Sequence, residues 1–542
     1  MSSAPSVRPS SAAPDTIVLA SRIHTLSPGA APVGAVAVRN GLITAVGDAA
    51  DARAWRGNAT EVIDLGEATL VPGLTDGHSH PVLGLDLASG ADLTAVRDLD
   101  GLRAALTTAP RTDGWVIGWG LDHNVFGGRP VHREHLEAVL GPDTPAFVRL
   151  YDGHSALASG AALRLAGVDG PRAFAQRALI ACEPDGTPTG HLIEPAAMDL
   201  VVAVMPRRPL AERREALLAL LSGMAATGLT GAHVMDAGGD VLELLRGVEA
   251  EQALPLRLRL APWCMPGTDK DGLAELVALQ REAGRNWLVG GVKFFMDGTV
   301  EGGTAWLEHP DCHGQSRDSF WLDPAAYSEA VHQLHAAGVR TATHAIGDAG
   351  VRHVLDTVAA LGPNGRMRHR VEHIETLPHA QAARFRELGV IASMQPTHSA
   401  YTRADHTDQW SLRLGTERAG RAWICRSLRD AGAVLALGSD WPIAHYDARG
   451  VLSYAQLRRH AGTDTPPVAP DQALTPLMAL EGFTTHAALA AGEADTAGRI
   501  APGLRADLTA LALDPLTADP DELAQSPVPL TMSNGVVTHR LR

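Results

Sequence analysis

The sequence predicts an α/β protein: a (β/α)8 TIM barrel with a small composite β-sandwich domain built from both termini and a large insertion after the first barrel strand. Three observations favour this fold. Short apolar runs typical of buried parallel strands alternate with helices that have recognisable caps. Both ends of the chain are instead rich in strand-like runs and hairpin turns. Polar residues that can bind metal recur where the central strands end, which is the edge of such a barrel that carries its chemistry.

Eight candidate strands define the predicted barrel. Each is a short apolar run bounded by turn residues or a helix start, as expected for parallel strands covered on both faces. They cover residues 69–75, 230–234, 256–262, 291–296, 340–343, 369–372, 390–394 and 434–437. The alternative is an open doubly wound sheet, which would normally have a Gly-rich phosphate loop after its first strand. No such loop follows the first strand in this sequence.

Helices between the strands are predicted from capping residues and apolar periodicity. Asp323 followed by Pro324 starts one helix that Gly338 can end, and Thr475 followed by Pro476 starts another that ends near Gly492. Residues 210–226 carry an apolar stripe at helical spacing and predict a third.

Composition shifts divide the chain into regions. Residues 1–14 are rich in Ser, Ala and Pro and are expected to form a disordered tail. Residues 15–68 and 497–542 should together form the composite β-domain. Residues 69–496 should form the barrel, in which about 82–225 are an insertion long enough to be a subdomain or lid over the barrel mouth.

Charge and composition exclude several classes of function. The net charge of −15 argues against nucleic acid or an anionic membrane as a partner. The four cysteines lie far apart without a C-x-x-C pair, so they predict neither a disulfide framework nor a thiolate metal site. No run reaches the roughly 18 apolar residues of a membrane span, and the N-terminus lacks a secretory apolar region. We therefore expect a cytoplasmic protein whose partner is a small-molecule substrate.

Side chains that can bind metal stand at the ends of five predicted strands. His78 and His80 close the first strand two positions apart, so both imidazoles point to the same face. The other four strands contribute one residue each: Lys293, His344, His373 and Asp440. Each residue alone has a simpler explanation, such as a hydrogen-bonded core histidine, a surface lysine or a helix N-cap. Their recurrence at one predicted edge favours a site for a divalent transition metal, zinc above all.

These residues form a chemically coherent set. Four neutral imidazoles and one carboxylate can bind one metal, or two if an anion bridges them. Burial within an apolar strand should lower the pKa of Lys293, and a neutral amine can add carbon dioxide to form a bridging carbamate. Bound metal lowers the pKa of water to about 7. Asp440 is positioned to act as the general base and then to protonate a leaving amine.

Six segments carry a resemblance to a known family. They are VPGLTDGHSH (71–80), DGH (152–154), VKFFMDGT (292–299), HAIGD (344–348), VEH (371–373) and GSDW (438–441). In this order they resemble the amidohydrolase superfamily, and within it the YtcJ-like branch (amidohydrolase family 3) that includes N-substituted formamide deformylases. The resemblance covers nearly the whole chain.

The resemblance implies a binuclear centre with two Zn²⁺ ions per subunit, although one ion is also compatible with it. It assigns the buried metal to His78, His80 and Asp440, the more exposed metal to His344 and His373, and the bridge to Lys293 carrying a carbamate from CO₂. A homodimer is a further expectation at the level of the family.

Six other residues are weaker candidates for contact with substrate. They are His154, Trp119, His123, His233, Gln395 and His398. Three lie in the insertion, one ends the second strand and two follow the seventh. Packing, a loop-fixing role or support of a metal ligand is the competing explanation for these positions.

The expected reaction is hydrolysis of a non-peptide C–N bond in an amide, an N-substituted formamide or a carbamate-like small molecule. Three alternatives stay open. The first is an ester, lactone or carbonate hydrolase, because the same water attacks any such carbonyl. The second is a mononuclear deaminase, against which Lys293 counts. The third is a non-catalytic relative kept as a scaffold, against which the complete set of six candidate ligands counts.

Overall fold

The protein is described by a computed structural model that covers residues 13–29, 32–362 and 368–541. The predicted disordered tail, residues 1–14, lies outside the described residues except for its last two positions. Across the described part of the chain, no helix combines the length and the apolar character needed to cross a bilayer.

Twenty-five strands are present in the described chain. In chain order they are Thr16–Leu19 (β1), Arg22–Ile23 (β2), Ala35–Arg39 (β3), Leu42–Gly47 (β4), Glu61–Asp64 (β5), Thr69–Pro72 (β6), Leu74–Ser79 (β7), Ala91–Asp92 (β8), Arg111–Thr112 (β9), Trp115–Leu121 (β10), Ala146–Leu150 (β11), Ser155–Ala158 (β12), Leu179–Cys182 (β13), Pro188–Ile193 (β14), Leu229–Val234 (β15), Arg257–Leu260 (β16), Trp287–Val289 (β17), Val292–Phe295 (β18), Thr341–Ala345 (β19), Arg370–His373 (β20), Ile391–Met394 (β21), Leu435–Leu437 (β22), Leu508–Leu511 (β23), Leu530–Ser533 (β24) and Val536–Arg540 (β25).

Nineteen α-helices are found in the same described ranges. They are Ala49–Trp55 (α1), Leu83–Leu87 (α2), Leu99–Thr107 (α3), Glu134–Leu140 (α4), Gly160–Leu165 (α5), Pro195–Val202 (α6), Leu210–Ala226 (α7), Val241–Glu251 (α8), Lys270–Leu279 (α9), Pro324–Ala336 (α10), Asp348–Ala360 (α11), Ala382–Leu388 (α12), Gln409–Leu414 (α13), Thr416–Ala419 (α14), Cys425–Asp430 (α15), Ala448–Leu457 (α16), Pro476–Phe483 (α17), Thr485–Ala491 (α18) and Pro520–Leu523 (α19).

Two parallel sheets form the centre of the structure. One has the strand order β17-β16-β15-β7 and the other β18-β19-β20-β21-β22. Backbone hydrogen bonds join the ends of β7 and β22: Asp440 N donates to His78 O at 2.7 Å and His80 N donates to Trp441 O at 2.9 Å. Trp263, just after β16, pairs in parallel with Lys293 of β18. The predicted α/β class is confirmed, and the parallel strands bring their C-terminal ends to one edge.

The predicted first strand, 69–75, is wrong in one respect, because it consists of two strands. β6 pairs antiparallel with β23, whereas β7 pairs parallel with β15. Gly73 separates them, and a Cβ at this position would lie 2.4 Å from Thr230 Oγ1. Glycine therefore allows the chain to change sheets close to β15. The apolar pattern continues across this break, so the sequence alone did not indicate it.

The other seven predicted strands are present with boundaries shifted by two residues or fewer. The structure adds one central strand that the sequence analysis missed, β17, whose three residues pair with β16. Helices α7 and α10 form where caps or periodicity predicted them. The single helix predicted from Thr475 to near Gly492 is wrong in one respect, because the non-helical backbone of Thr484 divides it into α17 and α18. The strands position the site residues, which lie within them or shortly after their ends.

Strands from both ends of the chain share one core. The sheet β2-β6-β23-β24-β25 combines N-terminal and C-terminal strands, and the sheet β4-β3-β1-β5 is N-terminal. Val18 and Ile63 of one sheet pack in the same apolar cluster as Leu70, Leu508 and Met532 of the other.

Between β7 and β15 the chain forms a separate sheet with the order β13-β14-β12-β11-β10-β8, and β9 pairs with β10. Two apolar clusters lie against this sheet, one around Val148 and one around Phe147. Adjacent residues of β11 thus face opposite clusters, as the two-residue repeat of a strand requires. The insertion therefore has its own packing and is not an irregular loop.

The close approach of β7 and β22 generates a stability prediction. A Cβ at Gly77 would lie 2.6 Å from the backbone oxygen of Leu437, so Gly77→Ala must push the two strands apart. We expect the free energy of unfolding to fall by about 1–3 kcal/mol, as measured by chemical denaturation. Gly450→Ala is the matched control, since no atom lies within 4 Å of a Cβ in that α16 position. Equal stability of Gly77→Ala and the wild type would contradict the strand contact.

Candidate metal centre

Five of the six predicted ligands converge at the C-terminal edge of the parallel strands. Asp440 Oδ1 lies 3.4 Å from His78 Nε2 and 3.0 Å from His80 Nε2. Asp440 Oδ2 lies 3.8 Å from His373 Nδ1, and Lys293 Nζ lies 3.4 Å from His78 Nε2. One ligand atom from each of His78, His373 and Asp440 falls within 4.8 Å of the other two. These residues come from four strands far apart in sequence.

The sixth predicted ligand, His344, lies beside this group. Its ring centroid is 4.4 Å from that of His373 and 5.3 Å from that of Phe295. Its Nε2 is 3.1 Å from the backbone oxygen of Gly298. The imidazole therefore adjoins the cluster while one nitrogen faces a backbone carbonyl.

A strained turn after β22 holds Asp440 in place. Asp440 has a φ of 57° and His373, at the end of β20, has a φ of 74°. Such left-handed conformations cost non-glycine residues about 1–3 kcal/mol and persist where surrounding contacts enforce them. Here the carboxylate of Asp76 accepts hydrogen bonds from Ser439 Oγ at 2.6 Å and Ser439 N at 3.0 Å. Asp76 thus fixes the residue before Asp440.

Burial keeps three of the imidazoles neutral. It lowers the pKa of His78, His344 and His373 well below the usual range, and neighbouring positive charges lower it further. His78 Nδ1 lies 2.6 Å from Glu372 Oε2, so Nδ1–H donates to that carboxylate. The lone pair of His78 is then on Nε2, which faces Asp440. A carboxylate behind the ligating histidine is a common arrangement in metal sites.

Lys293 is almost completely buried, with 1% of its surface exposed. Burial lowers the pKa of its amine to about 8, although Glu372 and Asp440 oppose this shift. A larger fraction of the amine is therefore uncharged near neutral pH than in a surface lysine.

The electrostatics around Asp440 fit a cation. Burial alone would raise the pKa of Asp440, but the histidines beside it outweigh this effect and hold the pKa below the usual range. Oδ1 is buried, and His80 Nε2, 3.0 Å away, is not aligned to donate a hydrogen bond to it. An ionised oxygen without a donor, surrounded by imidazole nitrogens, suits a divalent metal.

His80 differs from the other histidines because it faces a second carboxylate. Burial lowers its pKa, but Asp236, whose Oδ2 lies 3.4 Å from His80 Nδ1, raises the pKa to about 9. A metal bound at Nε2 would compete with this proton, as is usual for histidine ligands.

A cavity of about 230 Å³ lies over the cluster. Its floor includes His80, Lys293, His344, His373 and Asp440. Apolar side chains form much of the wall: Leu83, Leu87, Met198, Val202, Trp263, Phe295, Trp423 and Ile443. Met198 and Val202 come from α6 of the insertion, which therefore covers the site. Apolar walls over a polar floor are typical of a small-molecule pocket.

The insertion also contributes a histidine and its carboxylate partner. His154 lines the cavity, its ring lies 4.8 Å from that of His344, and its Nδ1 is 2.8 Å from Glu194 Oε2. Glu194 is fully buried, has a φ of 69°, and accepts a hydrogen bond from Thr304 Oγ1 at 2.6 Å. Burial lowers the pKa of His154, but Glu194 outweighs it and raises the pKa to about 9. His154 is thus an imidazolium held at Nδ1 with Nε2 left for a ligand.

The remaining predicted substrate contacts divide into two groups. His398 lines the cavity, with Nε2 3.6 Å from Asp440 Oδ2. The other four are described by the structure but do not line this cavity: Trp119, His123, His233 and Gln395.

Each of these four residues has neighbours outside the cavity. His123 Nε2 lies 3.1 Å from Asp152 Oδ2, and His233 Nδ1 accepts a hydrogen bond from Arg370 Nη1 at 2.8 Å. Trp119 lines a neighbouring cavity of about 20 Å³. Gln395 is fully buried, and its amide makes no hydrogen bond with a described residue.

Sequence reasoning missed three carboxylates that organise the site: Asp236, Glu372 and Glu194. Asp236 follows β15 by two residues, so the rule applied to the other strand ends could have found it instead of His233. Glu372 immediately precedes His373 on β20, so its position beside a predicted ligand could have identified it. No sequence signal identified Glu194, because its contact with His154 depends on how the insertion folds.

Comparison with known proteins gives consistent results. The family model described as "Amidohydrolase family" matches residues 61–539. Three curated relatives match over most of the chain: Protein LONG AFTER FAR-RED 3 of Arabidopsis thaliana (29% identity, 92% of this chain and 87% of the relative), Putative amidohydrolase YtcJ of Bacillus subtilis (27%, 93% and 96%) and N-substituted formamide deformylase of Arthrobacter pascens (27%, 97% and 98%).

A solved structure shares the fold. It is an uncharacterized metal-dependent hydrolase from Pyrococcus horikoshii, with a TM-score of 0.71 and 22% identity, and the match covers 93% of this chain and 99% of that one.

The pair of His154 and Glu194 predicts a pH dependence of stability. The pKa of His154 in the fold, about 9, lies above the usual value of 6.5. The pair therefore stabilises the fold fully below pH 6.5, and this contribution is lost as the pH rises through about 9. We expect Glu194→Gln to be less stable than the wild type at low pH, with the difference shrinking towards alkaline pH. Chemical denaturation of both metal-free proteins across this range measures it.

Glu183→Gln is the matched control for this experiment, because Glu183 is an exposed carboxylate of the same insertion lying 3.5 Å from His132. Its stability difference from the wild type should not vary with pH. A pH-independent difference for Glu194→Gln would contradict the assigned protonation of His154.

Proposed function

The chain belongs to the amidohydrolase family, and from this membership we propose that it is a hydrolase that cleaves a non-peptide C–N bond in a small molecule, namely an amide, an N-substituted formamide or a carbamate-like compound. The observation that carries the proposal is the convergence of His78, His373 and Asp440 beneath a pocket with apolar walls. The relative from Arthrobacter pascens, whose name states deformylation of N-substituted formamides, supports this bond type.

We further propose that the two central sheets form one (β/α)8 barrel. The hydrogen bonds between the ends of β7 and β22 support closure on one side. The pairing of Trp263 with Lys293 supports closure on the other. In this arrangement the composite β-domain lies outside the barrel and the insertion covers its mouth.

The proposed centre contains two zinc ions. His78, His80 and Asp440 would hold one ion, His344 and His373 the other, and carboxylated Lys293 would bridge them. The donors fit zinc because they are imidazoles and a carboxylate, and the lowered pKa of the lysine favours carbamate formation. When bound, the metal supplies a water that ionises near neutral pH and a positive charge for the substrate carbonyl oxygen.

The protein side chains supply the proton transfers and the orientation. Asp440 is ionised, so it can accept the proton of the attacking water and then deliver it to the leaving nitrogen. The imidazolium of His154 can donate from Nε2 to the carbonyl oxygen as negative charge develops there, and Glu194 fixes its ring for that task. The apolar wall binds the substituent on the acyl or amine side.

An assay of paired substrates tests the bond type. The zinc-loaded protein should hydrolyse N-substituted formamides and small amides, whereas a strong preference for the matched esters would overturn the proposal. Asp440→Asn should lower kcat on the amide by about 10²–10⁴-fold, because it removes the general base. Asp405→Asn is the control, since Asp405 is an exposed carboxylate that accepts a hydrogen bond from Thr407 Oγ1. Full activity of Asp440→Asn would exclude the assigned base.

The role of His154 is tested by separating kcat from KM. His154→Gln should lower kcat by about 10²–10³-fold with little change in KM, because the hydrogen bond strengthens as the oxyanion forms. Metal content, measured by elemental analysis, should not change. His132→Gln, also in the insertion and near Glu134 and Glu183, should leave both constants unchanged. A loss of metal in His154→Gln, or an effect on KM alone, would assign His154 a different role.

A further inference from the structure

A second cavity, of about 490 Å³, lies at the opposite edge of the parallel strands. Gly290 and Gly291 lie just before β18, Arg340 lies just before β19, and all three line it. The proposed metal ligands other than Lys293, the second residue of β18, instead stand near or after the C-terminal ends of their strands. This cavity and the substrate cavity share no lining residue. The second cavity is therefore separate from the proposed hydrolytic centre.

Positively charged side chains dominate the second cavity. Arg259, Arg281 and Arg340 line it together with the single carboxylate of Glu493. Both oxygens of Glu493 are already in use: Oε1 accepts from Arg259 Nη1 at 3.1 Å and Oε2 accepts from Arg505 Nη2. Glu493 therefore has no oxygen free of an arginine partner to neutralise the other two guanidinium groups.

Arg281 and Arg340 lack acceptors. Within the described chain neither side chain donates a hydrogen bond or forms an ion pair, and Arg340 Nη1 is buried without a partner. The side chain of Arg281 is exposed at the opening, so it can reach a ligand entering from solvent. Two guanidinium groups without acceptors beside a third one are a suitable arrangement for binding an oxyanion through paired N–H donors.

The concentration of positive charge is unusual for this chain, whose net charge is −15. Burial, and to a lesser extent the nearby Arg340, lowers the pKa of Arg259 to about 10 although Glu493 opposes this. Burial and Arg368 likewise lower the pKa of Arg340. The folded protein thus bears a cost of desolvation and repulsion that a bound anion would relieve.

A small cavity lies beside this region and shares Arg259 and Arg340 with it. It has a volume of about 20 Å³ and is lined by Arg259, Arg340, His233 and Arg370 among others. Arg370 Nε donates to Glu372 Oε1 at 2.8 Å, and Glu372 holds the Nδ1 of His78. The cavity of arginines is thus adjacent to the polar groups that support the proposed metal centre.

We propose that the second cavity is a binding site for a small oxyanion, with a phosphate or carboxylate group held by Arg281, Arg340 and the remaining N–H donors of Arg259. The site is independent of the proposed hydrolysis, since it uses neither the metal ligands nor the substrate cavity. Inorganic phosphate and citrate, as separate probes, distinguish the two sources of the anionic group.

Isothermal titration calorimetry of the full-length protein tests the site. At least one probe should bind saturably with one site per chain. Arg281→Gln and Arg340→Gln should each weaken binding by about ten-fold or more, which is about 1.4 kcal/mol. Arg111→Gln, an exposed arginine of β9 in the insertion, should not change the affinity. Because Arg281 is exposed, its replacement should leave the fold intact, and thermal unfolding of each variant checks this.

Asp440→Asn separates this site from the metal centre, because anions can also bind metal ions. Binding that survives Asp440→Asn and is lost in the arginine variants supports the proposal. Binding that is lost in Asp440→Asn and unchanged in Arg281→Gln and Arg340→Gln would overturn it, and so would the absence of saturable binding by both probes.

Discussion

The structure depends on a buried negative charge that its own hydrogen bonds do not neutralise. Asp440 is held in a left-handed turn by Ser439 and Asp76, and its Oδ1 accepts no hydrogen bond from a described residue. A buried carboxylate needs a charged partner, and protonated His80, with Nε2 3.0 Å from Oδ1, supplies part of that charge. His78 and His373 face it with lone pairs because burial keeps them neutral. A cation satisfies the carboxylate and the imidazoles together, so the site is assembled around a charge it needs to bind.

Polar groups behind the metal ligands explain why the strands hold the Asp440 carboxylate in one geometry. Arg370, on β20, donates to Glu372, to the backbone oxygen of Gly77 at 2.7 Å and to Ser393 Oγ at 2.9 Å. It thereby ties β20 to β7 and β21, and it orients the carboxylate that fixes His78. A satisfied buried network of this kind makes the ligand positions rigid. The same residue borders the small cavity near Arg259.

The sequence was sufficient to predict those site residues whose position follows from a single strand. His78, Lys293, His373 and Asp440 could be predicted because parallel strands bring their ends to one edge. It was insufficient where contacts arise from packing between segments. The change from β6 to β7 at Gly73 has no break in apolar pattern, and Glu194 reaches His154 only because the insertion folds over the centre. The remaining error concerns His233, which was predicted to contact substrate. It lies within β15 and faces Arg370, whereas Asp236 beyond the strand faces His80.

The insertion relates the metal centre to the choice of substrate. It contributes no predicted metal ligand, yet it supplies His154 and much of the apolar wall to the same cavity. Glu194 takes part in this contact at a strained φ of 69°, a conformation that the contacts with His154 and Thr304 maintain. Since strain of this kind is kept only where the surroundings enforce it, the insertion must be docked in one position over the centre. In the proposed hydrolysis, the ligands would therefore act on the carbonyl, and the docked insertion would select the substituents that fit beside it.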